Sequence, residues 1–321
     1  MITNNDKPMC IVLVGLPGSG KSTYANEVLV YDSSGYHHPV VHSSDAIREE
    51  LYGNINDQEH NDKVFQTLHK RIKMDLLAGK NVVYDATNIN KRRRIHFLRS
   101  LHGVDFVPVC MVIATTKQEC IRRNLLRDNP VPEEVIENMW KNYQPPHTHE
   151  GFDSINYLFS DPEGMTVGKF FDDAAIFDQR NSHHAFTLGE HSRRAMEYML
   201  LLHDQSITRG VIPSYLFFAT YLHDNGKLYT ATETNKRGEN DGEVHYYHHE
   251  NVGAYNSMFY AFHAGFNDDD ITEIANLIYF HMRPYTAWRS STKAYDRDVA
   301  ICGEDFIYSV LSIHQADIAS H

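Results

Sequence analysis

Eight residues near the start of the chain, Gly15-Leu16-Pro17-Gly18-Ser19-Gly20-Lys21-Ser22, carry the spacing G-x-x-x-x-G-K-[ST]. The chemistry of that spacing is the holding of phosphates. Glycines let backbone N–H groups turn toward a β-phosphate, a lysine supplies a point charge to the β/γ oxygens, and a hydroxyl takes Mg²⁺. Lys21 and Ser22 fill the last two roles. Gly15, Gly18, Ser19, Gly20 and Thr23 complete a loop for ATP or another NTP with Mg²⁺. A glycine-rich turn with a chance lysine is the alternative, but an apolar strand at residues 10–14 precedes the loop and a helical stretch at 23–30 follows it, as phosphate binding requires.

Three further groups could act on what the loop holds. Ser43-Ser44-Asp45-Ala46-Ile47-Arg48 follows an apolar pair and starts a helix, placing Asp45 to accept a proton from an attacking hydroxyl. Arg48 lies one turn on, on the same face. The plainer reading is a capping group with a surface arginine. Asp85-Ala86-Thr87-Asn88 closes an apolar strand, where α/β sheets place ligand-binding groups, or it is only a strand-end turn. Arg123 and Arg127 sit four apart on one helical face, able to clamp phosphates in a dissociative transfer, or simply solvated.

The second half carries a different chemistry. His223-Asp224 ends an apolar helix and is followed by Asn225-Gly226-Lys227, with His191 upstream and His249, His281 and Asp317 downstream. Imidazole nitrogens and carboxylate oxygens are ligands for Mn, Fe, Co, Ni or Zn. Any one of these histidines alone reads as a surface or hydrogen-bonded residue. Together the six predict one or two divalent transition metals.

The elements that must position these groups follow from periodicity. Short apolar runs at 10–14, 81–84 and 107–113 alternate with helical stretches at 58–79, 90–101, 117–127 and 135–143, predicting a doubly wound α/β domain with a parallel sheet flanked by helices. Residues 145–182 read as a linker region, with 152–159 available as a last strand of the first domain. From about Thr187 the apolar spacing is helical, as in Ile271/Ile274/Leu277/Ile278, predicting an all-α second domain. The expected domains are 1–160 and 161–321.

Charge divides the same way. Residues 1–150 hold 18 Lys/Arg and 18 Asp/Glu, so the net −12 belongs to 151–321. An acidic half that acts on phosphate esters needs cations. Cys10, Cys110, Cys120 and Cys302 show no C-x-x-C spacing and read as reduced thiols. No apolar run approaches the ~20 residues of a membrane span, and residues 1–9 lack a signal-peptide pattern. The expected location is cytoplasmic, with no membrane partner.

The loop, the Asp-x-x-Arg, the D-x-T-N strand end and the paired arginines, in this order over residues 8–160, resemble the kinase module of the polynucleotide 5′-kinase family. The resemblance implies that Lys21, Ser22, Arg123 and Arg127 bind the donor NTP. It makes Asp45 the general base, has Arg48 hold the acceptor's phosphate, and places Thr87 and Asn88 at the acceptor. The basic run of residues 91–94 becomes a candidate phosphate-backbone contact. Relatives in this broad family phosphorylate small hydroxylated substrates with nearly the same motifs.

The pattern H…HD…H…H…D over residues 175–321 is similar to the HD phosphohydrolase superfamily. By that likeness His191, His223, Asp224 and Asp317 hold a first metal, and His249 and His281 complete a second. Lys227 neutralises a scissile phosphate, with Arg283 as a lesser candidate. A 5′-kinase joined to a phosphohydrolase implies healing of broken RNA or DNA ends. Bacterial end-healing enzymes have this logic with the HD module first, whereas here the kinase leads. The alternatives are a nucleoside or nucleotide kinase fused to a nucleotidase, and a nucleotide-sensing regulator.

Overall fold

The computed structural model describes residues 7–28, 38–160, 164–180, 185–205 and 213–321, with the backbone alone at 203–205. The chain divides into two compact units, Met1–Met139 with Pro146–Asp161, and Trp140–Pro145 with Pro162–His321. Unlike the single boundary expected from the sequence, the chain passes between the units more than once.

The first unit is built on five parallel strands, β1 (Met9–Val14), β2 (Val40–Ser43), β3 (Val82–Asp85), β4 (Val107–Thr115) and β5 (Ser154–Ser160), in the order β2-β3-β1-β4-β5. Central parallel strands are covered on both faces, so they read as continuous apolar runs. All four residues of β3 are buried, as are Val12, Leu13 and Val14 of β1. β1 lies where the strand order reverses, so the loop leaving its carboxyl end opens at the switch point of the sheet.

The helices of this unit are α1 (Lys21–Thr23), continued by a π-helical turn over Tyr24–Val28, then α2 (Ser44–Tyr52), α3 (Asn61–Leu77), α4 (Lys91–Ser100), α5 (Lys117–Asn124) and α6 (Glu133–Lys141), whose last two residues belong to the second unit. α3 buries Val64, Leu68, Ile72 and Leu76, one side chain per turn. It begins three residues later than expected because Asp57 accepts from the His60 amide at 2.9 Å and holds 57–60 in a turn. The helix expected over 23–30 is described only to Val28, since residues 29 and 30 lie outside the described ones. The basic helix expected to Arg127 ends at Asn124. There the Asn124 side chain donates to the Val131 carbonyl (2.8 Å) and accepts from the Val131 amide (3.1 Å), drawing residues 125–128 into a turn.

The expected linker at 145–182 is structured where it is described. It holds β5 and, in the second unit, α7 (Val167–Ile176), which buries only Phe170 and Ala174. Two apolar contacts are too few to register as periodicity in the sequence. The second unit continues through α8 (Leu188–Gln205), α9 (Ser214–Leu222), α10 (Lys227–Thr230), α11 (His249–His263), α12 (Asp268–Phe280), α13 (Ala287–Ser290), α14 (Thr292–Cys302) and α15 (Glu304–Ala319). One departure from an all-helical unit is the antiparallel pair β6 (Ala231–Thr232) and β7 (His245–Tyr246). The core lies where α11 packs on α12, and Val252, Tyr255, Met258 and Phe259 of α11 and Ile271, Ile274 and Ile278 of α12 are buried. The approach is close at Gly226, where an added Cβ would stand 2.0 Å from the His249 carbonyl. Among the described residues no helix is long and apolar enough to cross a membrane. All four cysteines are free and buried.

Candidate functional sites

The phosphate loop is held from the ends of both strands that flank β1. The Gly15 amide donates to the Thr87 carbonyl at 3.0 Å, and the Thr115 hydroxyl donates to the Ser19 carbonyl at 2.9 Å. Gly18 has φ 80° and Gly20 φ 99°, a region where a Cβ is strained. At Gly18 an added Cβ would also meet the Cys120 carbonyl at 2.3 Å. Lys21 is buried and donates to the Leu16 carbonyl at 2.7 Å. Burial pulls its pKa below the ordinary lysine value, against the opposing pull of Asp85. An ammonium with too little negative charge around it is suited to receive a phosphate.

The Ser22 hydroxyl donates to Asp85 at 2.7 Å. Burial pushes the Asp85 carboxyl above the usual carboxylate range, with Lys21 opposing. A hydroxyl paired with a strand-end carboxylate is the arrangement that holds Mg²⁺ in phosphate-loop NTPases. The sequence places Asp85 in a strand-end group suited to ligands but does not single it out as a partner of Ser22, because their pairing depends on β3 lying beside β1.

Around this loop stand Asp45, Arg48, Arg123 and Arg127. Ser43 caps α2 and places Asp45 in its first turn. Arg48 donates to Asp45 at 2.8 Å and to Asn61 at 2.8 Å, and its guanidinium lies 5.9 Å from the Phe65 ring centre. The other Asp45 oxygen is 4.0 Å from Arg127. Arg123 donates to Glu119 and to Ser160 (2.9 Å), and its Nη1 would stand 3.6 Å from a Cβ placed on Gly20. So Arg123 lies beside the loop and Arg127 beside Asp45, although the helix ends between them.

Two of the expected residues have partners within the protein. Asn88 is buried at φ 46°, and its side-chain amide donates to the Leu13 carbonyl at 2.9 Å, so its nitrogen is committed to joining the strand ends. Arg94 leaves the basic run: it is buried, donates to both Glu150 oxygens at 2.7 Å and reaches the Asn88 carbonyl at 2.8 Å. It is a structural ion pair, not a contact to nucleic acid.

In the second unit the histidines and aspartates converge. The Nε2 atoms of His191 and His223 lie 3.2 Å apart, as do those of His249 and His281. Asp224 stands between the pairs. Its Oδ2 is 3.4 Å from His191 and 3.4 Å from His223, and its Oδ1 is 3.3 Å from His249 and 3.6 Å from His281. Asp317 Oδ1 closes the first pair at 3.2 Å from His191 and 3.5 Å from His223. All six residues are buried. The turn 223–227 presents His223, Asp224 and Lys227 together because Gly226 lets it lie against the first turn of α11.

The outer nitrogens decide what the inner ones can do. His223, His249 and His281 place Nδ1 at 2.7, 2.7 and 2.5 Å from the carbonyls of Thr220, Tyr246 and Ile278. A carbonyl only accepts, so each Nδ1 carries the proton. Ser320 donates its hydroxyl to the Asp317 carbonyl and so accepts from His191 Nδ1 at 2.9 Å. A neutral imidazole then turns an Nε2 lone pair toward its partner, and two such lone pairs 3.2 Å apart repel unless a proton or a metal cation lies between them. Burial opposes charge on His191, but Asp224 and Asp317 raise its pKa to about 9, so the cluster favours a positive charge at this place. Two nitrogens on one metal at the usual ~2.1 Å are separated by about 3.0–3.4 Å, which is the spacing found. Burial alone would raise both carboxyls, but Lys227 and then His223 hold Asp224 well below the usual range, and His191, His223 and His321 hold Asp317 there, so both remain anionic. The donor set fits a divalent transition metal.

Lys227 lies at the edge of the cluster, 2.7 Å from Asp224 Oδ2 and donating to Gln179 at 2.9 Å. Arg283, the lesser candidate, is engaged elsewhere: its guanidinium is 3.2 Å from Asp298, which also accepts from the Trp288 indole at 2.9 Å. Sequence reasoning missed Tyr285, whose hydroxyl donates to Asp317 Oδ2 at 2.9 Å, and His321, whose Nε2 is 3.3 Å from Asp317 Oδ1. Nothing in their spacing marked them.

The family described as AAA domain matches residues 10–146, which is less than half of the chain. Over 145 residues the chain is 25% identical to L-seryl-tRNA(Sec) kinase of Methanococcus maripaludis, covering 45% of this chain and 56% of that protein. It is 26% identical over 167 residues to the Arabidopsis thaliana protein named transcription factor bHLH140, covering 49% of this chain and 16% of that protein. The chain thus spans a little over half the length of the first relative and about a sixth of the second. A gluconokinase structure from Sinorhizobium meliloti 1021 is 18% identical, with a TM-score of 0.33 over 48% of this chain and 83% of that one. The family match and the five-stranded parallel sheet make the first unit a P-loop domain of kinase-like build, for which ATP with Mg²⁺ is the implied ligand.

Proposed function

We propose that the chain joins two phosphate chemistries. The first unit transfers the γ-phosphoryl of ATP to the 5′-hydroxyl of an RNA or DNA end. The second hydrolyses a terminal or 2′,3′-cyclic phosphate.

The kinase reading rests above all on Asp45. With Arg48 at one oxygen and Arg127 near the other, a proton acceptor stands between an acceptor-side and a donor-side arginine, as transfer to a hydroxyl requires. ATP with Mg²⁺ supplies the phosphoryl group. Lys21, Arg123 and Arg127 hold its oxygens, and Ser22 with Asp85 holds the cation. The acceptor's proton passes to Asp45, while Arg48 takes the acceptor's phosphate in exchange for Asn61.

The hydrolase reading rests on Asp224, whose two oxygens each face a pair of imidazole nitrogens. A metal held by His191, His223, Asp224 and Asp317, with a second at Asp224, His249 and His281, would supply Lewis acidity and an activated water. Lys227 adds positive charge beside Asp224 for a scissile phosphate.

One experiment tests both halves: product analysis of an oligoribonucleotide with 5′-OH and 2′,3′-cyclic phosphate ends, given ATP and Mn²⁺. The expected products are a 5′-phosphate and an opened or removed cyclic phosphate. Lys21→Ala abolishes only the first and Asp224→Ala only the second. Transfer to no nucleic-acid end would overturn the kinase assignment.

A second reading, a kinase for a smaller hydroxyl acceptor beside a nucleotidase, is favoured by the loss of Arg94 from the basic run. The likeness to a kinase named for seryl-tRNA(Sec) supports a hydroxyl acceptor other than a 5′ end, here one carried on an RNA. Free nucleosides outcompeting oligonucleotides would select the smaller acceptor.

A further inference from the structure

We infer that Tyr285 is a positioning residue that fixes Asp317 as a one-oxygen ligand and ties the His281 side of the cluster to the His191 side. The inference rests on the metal reading of that cluster.

Asp317 uses its two oxygens differently. Oδ1 faces three imidazole nitrogens, those of His191 (3.2 Å), His223 (3.5 Å) and His321 (3.3 Å). Oδ2 accepts from the Tyr285 hydroxyl at 2.9 Å. A phenol, with an ordinary pKa of ~10, is a donor at neutral pH, so Oδ2 is occupied and Oδ1 alone remains for a cation. Without that donor the carboxylate is free to rotate, or to present both oxygens.

Tyr285 is itself held on two sides. It lies four residues after His281, in a segment closed by the Arg283 amide on the Phe280 carbonyl (2.8 Å) and the Thr286 amide on the Met282 carbonyl (3.1 Å). Its ring meets His314 edge-on at 4.4 Å, and His314 stands on α15 one turn before Asp317. The residue therefore links the end of α12, which carries a ligand of the second pair, to α15, which carries a ligand of the first. Partners behind metal ligands set ligand orientation, and losing one costs about 10–100-fold in metal affinity.

The test is Co²⁺ titration of the full chain, followed by visible absorption and by competition with a chelator. Tyr285→Phe keeps the ring against His314 and removes only the hydroxyl. The expected result is a first-site Co²⁺ affinity lowered about 10–100-fold with an altered absorption band, and second-site affinity within about 3-fold of the parent.

If Tyr285 acts through Asp317, adding Tyr285→Phe to Asp317→Asn brings no further loss. A packing role would instead add its own cost. Unchanged affinities and spectrum in Tyr285→Phe, or full additivity in the double variant, would overturn the inference. Failure of the parent protein to take up Co²⁺ at all would remove the metal reading itself, a separate and earlier failure.

Discussion

At the scale of single residues, Ser22 draws a partner from outside the loop's own spacing. Lys21 and Ser22 were named because a contiguous spacing encodes them, whereas Asp85 lies 63 residues from Ser22 and meets it only because β3 pairs with β1. Asp85→Asn should raise the Mg²⁺ concentration for half-maximal transfer about 10–100-fold, as removal of a ligand-orienting carboxylate does elsewhere. An unchanged Mg²⁺ dependence would deny Asp85 that role.

His69 offers a second test at this scale. Burial, with His96 nearby, pulls its pKa down to about 4, and its Nε2 lies 3.3 Å from the Tyr84 hydroxyl. The unfolded chain takes up that proton near the ordinary value of ~6.5, before the folded chain does. The first unit should therefore lose stability as pH falls from about 6.5 to about 4, by on the order of 1–3 kcal/mol. Urea melts of His69→Gln should show a flatter pH dependence in that window, with no difference from the parent above it.

At the scale of elements, the strands were legible because parallel strands buried on both faces leave continuous apolar runs. The ends of helices were not, because side chains distant in sequence set them. Asn124 stops α5 by bonding to Val131, and Glu150 removes Arg94 from a run that composition alone reads as basic surface. That ion pair joins α4 to the turn before β5 with both side chains fully buried. Arg94→Met strands the Glu150 charge and should cost the first unit about 3–5 kcal/mol, while Arg94→Met with Glu150→Leu should recover most of it. Denaturant melts decide, and equal losses in the single and double variants would contradict the pair's role. The clustered histidines sit at element ends too: His223 caps α9, His281 caps α12 and His249 opens α11. Helix-end histidines were visible in the sequence. The carbonyls behind them, which fix each tautomer, were not.

At the scale of the whole molecule, composition divided the chain into a neutral and an acidic half, and each compact unit carries its own candidate site. Each should respond to its own ligand. ATP with Mg²⁺ at 100 times its Kd should stabilise the first unit by about 2.7 kcal/mol, raising its melting transition by about 5–10 °C. A chelator should lower only the transition of the second. A single calorimetric transition moved by both treatments would show that the units do not unfold separately. The placement of Trp140–Pro145 is not legible in the sequence, where the composition changes only at their end, at Pro145-Pro146. Its consequence concerns inheritance. Because β5 and Glu150 belong to the first unit yet follow that excursion, one break in the gene cannot part the two units cleanly. A recombination joint before residue 140 would forfeit the edge strand and the partner of Arg94. One after residue 161 would carry six residues of the second unit away with the first. An exchange of either unit between genes must therefore rebuild two junctions.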